Sequence, residues 1–81
     1  MATYNFSITL KSDKGYEISI DPAARYGYWE YPDGTEGGGL WFETMPDGTL
    51  ELVDYDGIGV IHPSIVRALR EAGYCLDGSF D

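Results

Sequence analysis

The string Val53-Asp54-Tyr55-Asp56-Gly57-Ile58 carries the pair of residues best suited to chemistry, two carboxylates separated by one tyrosine. One could attack or hold a cation while the other moved a proton, provided a cleft and a counter-charge completed the site. No lysine follows Lys14, and no second acidic motif of the kind that holds magnesium accompanies the pair. His62 is the single histidine and Cys75 the single cysteine. A thiolate zinc site and an internal disulfide are therefore excluded. Lying just ahead of Pro63, His62 reads as marking the start of a helix. Cys75 has no basic neighbour within four residues and reads as a small apolar side chain. Gly37-Gly38-Gly39 lacks the lysine and the following helix of a phosphate-binding loop, and is expected to be a loop. No serine sits in a nucleophile elbow.

The Asp54/Asp56 string resembles the first motif of haloacid-dehalogenase-type phosphatases, in which one Asp is the nucleophile and the next an acid/base. The likeness ends with that string, and the chain is too short for the doubly wound sheet of that family. Counted as a calcium loop from Asp54, the sixth position is Gly59, as an EF-hand requires. The twelfth is Ile65, where a bidentate glutamate belongs. A strand end followed by an Asp-Gly turn accounts for the same residues. The chain reads as a non-enzyme with no cofactor and no metal.

Residues 3–10 alternate without interruption, Tyr4, Phe6, Ile8 and Leu10 against Thr3, Asn5, Ser7 and Thr9, which predicts a half-buried strand. Ser12-Asp13-Lys14-Gly15 is turn chemistry, and Tyr16, Ile18 and Ile20 resume the alternation to complete a hairpin. Asp21-Pro22 ends it. Further strands are expected at 26–31, 40–43 and 49–55, separated by Pro32-Asp33-Gly34 with a loop through Gly39, and by Pro46-Asp47-Gly48. A short apolar stretch at 58–61 leads into one helix. Pro63 suits its first turn, Ile65, Val66, Leu69 and Ala72 form its apolar stripe, and Gly73 ends it. The expected fold is α+β: an antiparallel β-meander of about five strands with one C-terminal helix packed on one face. Residues 1–81 form a single domain, mainly β over 2–61, helical over 63–73, with a loose tail at 76–81.

Seven Tyr, three Phe and two Trp supply a core for a chain of 81 residues. The N-terminus lacks the basic and apolar regions of a signal peptide, and no apolar run is long enough for a membrane span. A cytoplasmic protein is expected.

Fourteen acidic residues face five basic ones, for a net charge of −9. Such a field repels nucleic acid and anionic membranes and attracts basic protein surfaces. Between Arg25 and Arg67 there is no lysine or arginine, whereas Glu30, Asp33, Glu36, Glu43, Asp47, Glu51, Asp54 and Asp56 all fall there. Acids on a folded strand are held at fixed spacing. Residues i and i+2 share a face about 6.6 Å apart, and phosphates on one DNA strand recur at roughly 3.4 Å of axial rise. Glu17/Asp21 and Asp54/Asp56 are pairs that could present carboxylates near phosphate spacing. Solubility is the simpler role for the same charge. Trp29 and Tyr31 are expected beside the acids as aromatic anchors against arginine-rich surfaces.

In size, acidity and aromatic α+β pattern the chain resembles the small anti-CRISPR proteins of phages and mobile elements. That resemblance implies an inhibitor acting as a DNA mimic on a type I effector complex, type I-C favoured, within the host cytoplasm. The implied partner is a basic surface of a nucleic-acid-handling protein, a CRISPR effector subunit, bound by a monomer without direct nucleic-acid contact. The alternative is a phage or bacterial accessory or structural protein that self-associates or binds through its aromatic sheet surface.

Overall fold

The computed structural model describes residues 3–56 and 61–76. The expected lead-in at 58–60 and the tail at 77–81 lie outside the described residues. Strands β1 (Ile8–Lys11), β2 (Glu17–Asp21), β3 (Tyr26–Glu30), β4 (Glu36–Thr44) and β5 (Leu50–Tyr55) precede helix α1 (Pro63–Glu71) and strand β6 (Cys75–Leu76). They form one sheet in the order β1-β2-β3-β4-β5-β6. The first five strands are antiparallel neighbours, as the alternation and turns predict. The sixth is a correction: β6 pairs parallel to β5, with Leu76 opposite Leu52 rather than in a loose tail. A parallel return needs a crossover, and α1 is that crossover.

The two Pro-Asp-Gly turns are built alike. Gly34 N–H donates to Tyr31 O (2.9 Å) and Tyr31 N–H to Thr35 O (2.8 Å); Gly48 N–H donates to Met45 O (2.9 Å) and Met45 N–H to Thr49 O (2.8 Å). Gly34 and Gly48 hold φ of +88° and +91°, the left-handed position that follows a type I turn in such hairpins. The same bonds close the first hairpin between Ser12 and Tyr16.

One face of the sheet carries the core. Ile18, Ile20, Leu40 and Leu52 are wholly buried against Ile65 and Leu69 of α1, with Trp29, Phe42, Ile61 and Val66 beside them. Ala72, expected in the stripe, is the exposed C-cap. His62 is the N-cap, its Nδ1 accepting from Ser64 N–H (3.1 Å), and its ring stacks on Tyr16. At the other end, Tyr74 N–H donates to Leu69 O and Gly73 N–H to Arg70 O (both 3.0 Å). This is a Schellman closure, and it turns the chain into β6.

Two expectations fail for reasons of packing. The alternation over residues 3–10 changes face, because Ser7 N–H donates to Asn5 O (2.9 Å) in a tight turn centred on Phe6. Ile8 and Leu10 join the core side, while Tyr4 and Phe6 pack on Tyr26 and Tyr28 behind the sheet. The triple glycine is strand rather than loop. A Cβ on Gly37 would lie 2.2 Å from the Trp29 ring, so the missing side chain is what lets the indole cross β4 at the β3/β4 bulge.

Candidate functional site

In an antiparallel sheet, residues in register share a face, so the pairings sort the charges. Opposite the helix, the register sets Glu17 against Glu30 and Glu30 against Glu36, a row across β2, β3 and β4. Glu43 faces Glu51 farther along, and Trp41 faces Asp54. Like charges in direct opposition destabilise a sheet. Lys11, paired with Glu17, is the base that the register places on this face. Arg67 and Arg70 belong to α1 on the other side, where Arg67 donates to Asp13 at 3.1 Å. Among the described residues the helix side mixes both signs, Arg67 and Arg70 with Asp13 and Glu71, whereas the open face is mainly acidic.

Between the glutamate rows lie aromatic rings. Tyr26 and Tyr28 of β3 and Trp41 of β4 share the open face. Tyr4 lies over Tyr26 with centroids 4.7 Å apart, Phe6 meets Tyr28 edge-on at 4.9 Å, and Tyr26 meets Trp41 at 5.5 Å. The arm bearing Tyr4 and Phe6 is tied down by Asp21, whose carboxylate accepts from Asn5 N–H (2.7 Å) and Ala24 N–H (3.2 Å). The Asn5 bond, followed by those of Ala24 and Ala23, holds the Asp21 carboxyl below its ordinary value. Together the rings border an open groove of about 670 Å³, floored by Gly37, Gly38 and Gly39 and rimmed by Glu36 and Asp56. Burial pushes the Tyr26 phenol above its ordinary value, and Tyr4, Glu36 and Asp56 push it the same way.

The structure brings Glu30, Glu36, Glu43, Glu51, Asp54 and Asp56 to the open face. Asp33 and Asp47 sit instead on turns at opposite ends of β4, each accepting from the N–H of the threonine two residues on. The side-chain hydroxyls of Thr35 and Thr49, and then these N–H groups, hold both carboxyls below their ordinary value. Asp21, expected to form a surface pair with Glu17, is buried and engaged by Asn5. Trp29 is not a surface anchor: it is 2% exposed and faces the helix side. Tyr31 packs beside it at 5.1 Å and beside Tyr16 at 5.7 Å. The exposed large apolar side chains among the described residues are instead Tyr4 and Trp41, at 44% and 40%. Strand parity shows that Tyr28 and Trp29 take opposite faces; which one faces the helix depends on the partner strands.

One cluster has the look of a nucleophile and base: Ser64 Oγ lies 2.8 Å from His62 Nδ1. Ser64 is 1% exposed and its hydroxyl meets Ser12 Oγ at 3.0 Å, so the cluster pins the helix start to the first hairpin and no substrate reaches it. Among the described residues no group of three or more His, Cys, Asp or Glu is placed to hold a metal, and no helix is long and apolar enough to cross a membrane. Comparison with protein-family models, with curated proteins and with solved structures finds no match for this chain.

Proposed function

We propose that the chain is an acidic binding protein whose open sheet face takes a basic surface of another protein, of the kind that otherwise holds nucleic acid. The observation that carries this reading is the register that stacks Glu17, Glu30 and Glu36 in one row and sets Glu43 against Glu51. Folding alone gains nothing from that arrangement, whereas a cationic partner relieves it. Arg67 and Arg70 lie on the helix side with Asp13 and Glu71, so the excess of acid falls on the open face.

An inhibitor that displaces DNA from a CRISPR effector is the specific form to test first. Gel-shift assays of a type I-C effector complex on duplex DNA, with increasing amounts of the protein, should show loss of the DNA complex, and the loss should weaken as salt is raised. A Glu30→Gln, Glu36→Gln, Glu43→Gln, Glu51→Gln variant should lose this competition. It should also melt at a higher temperature than the parent, by about 0.2–1 kcal/mol per relieved pair. A variant that still competes would end the electrostatic reading.

The exposed Tyr4 and Trp41 also suit self-association through the aromatic face. Two copies meeting there would bring their glutamate rows together, which argues against it. Light scattering at rising protein concentration separates the two readings.

A further inference from the structure

The groove bordered by Tyr4, Tyr26, Tyr28 and Trp41 has a chemistry that the glutamate rows alone do not supply. Its walls are ring faces and edges, and its rim carries Glu36 and Asp56; no lysine or arginine of the chain lines it. The two exposed large apolar side chains of the described residues are both in it. Its floor is shaped by Gly39, whose φ is not in the positive range, so the backbone there does not call for glycine. A Cβ would stand 2.8 Å from the Trp41 ring and 3.2 Å from that of Tyr26. The missing side chain makes room for the rings to lie low over the strand.

We propose that this groove seats an arginine side chain of the partner, its guanidinium laid against the rings and hydrogen-bonded to the Glu36 and Asp56 carboxylates. The proposal rests on the reading that the open face binds a basic surface, and adds the residue type that anchors it. Charge complementarity selects a cation, since ring faces and carboxylates are both negative. Geometry selects guanidinium over ammonium. A planar, weakly hydrated group stacks flat on one ring while its forked edge donates to a carboxylate, whereas an ammonium is a strongly hydrated point charge without that plane or fork.

The test uses the wild-type protein and Nα-acetyl-arginine amide, followed through the ring-proton NMR signals of Tyr4, Tyr26 and Trp41. Saturable shifts at those rings are expected, with binding about tenfold weaker for the neutral isostere Nα-acetyl-citrulline amide and weaker also for Nα-acetyl-lysine amide. Equal binding of citrulline and arginine, shifts confined to residues outside the groove, or preference for a neutral oligosaccharide would each overturn the proposal. A deca-arginine peptide then separates it from the broader reading. Trp41→Leu, at an exposed position and checked for fold by circular dichroism, should weaken the peptide about tenfold. If Trp41→Leu binds as tightly as wild type while the four-glutamine variant does not, the arginine seat is wrong and the acidic face stands. If both variants bind as wild type, both readings fall.

Discussion

The two faces of this sheet spend the same residue types on opposite ends. On the helix side Trp29 lies across Gly37, wedged among Tyr31, Tyr16 and the aliphatic core, and water is excluded from it. On the open side Trp41 lies across Gly39 beside Tyr26, with much of its ring in solvent and Asp54 as its cross-strand partner. Each face thus holds a tryptophan over a glycine, yet only one pair is covered. Apolar area left in water contributes nothing to the fold, and carboxylates in opposition work against it. The covered pair belongs to stability, and the open one is the pair left for the proposed arginine contact.

Substituting each tryptophan is the strongest way to break that contrast. Trp29→Ala should lose about 3–5 kcal/mol, which for a domain of this size lowers the melting temperature by about 4–8 °C per kcal/mol. Trp41→Ala should stay within about 1 kcal/mol of wild type. Equal losses in thermal denaturation would erase the distinction between the faces. The glycines give a finer version. Gly37→Ala drives a methyl into the Trp29 ring, which the core holds in place, and should cost about 1–3 kcal/mol. Gly39→Ala meets a Trp41 ring that can swing into solvent, so stability should hardly move while arginine affinity falls.

The smallest effect is the acid response of the arm that covers Tyr26 and Tyr28. Asp21 has a folded-state carboxyl held below its ordinary value of 3.8. Its contribution is therefore complete above that value and is lost as pH falls through the lower, folded one. Asp33 and Asp47 are lowered in the same sense and add to the same loss. Ring-proton signals of Tyr4 and Phe6 should move toward free-chain positions in that acid range, before the core signals do. Asp21→Asn should show the displaced arm already at neutral pH. Signals that stay fixed down to global unfolding would show that something other than Asp21 anchors the arm.

Short-range signals in the sequence proved dependable. Both Pro-Asp-Gly turns, Pro63 at the helix start and Gly73 at its end act within a few residues of themselves, and each is where local chemistry places it. Long-range geometry was hidden. The alternation of residues 3–10 runs on through the Phe6 turn, so nothing local marks where the face changes. Gly37 to Gly39 have poor strand propensity, and only rings from β3 and from β4 itself explain why they are strand. The acids of the open face could be named from their tract, but their opposition across strands depends on register, which no single strand encodes. Trp29 was misplaced for the same reason: its parity was visible and its covering helix was not.

The order of strands in the sheet is the order of strands in the chain, through all six. Every pairing up to β5 is therefore a hairpin, and hairpins close in about 1–10 μs without a long search. Many all-β proteins are slow because distant segments must meet before any pairing is rewarded. The distant encounter, Ser64 with Ser12 across 52 positions, is then expected to come last, as the helix settles on strands already side by side.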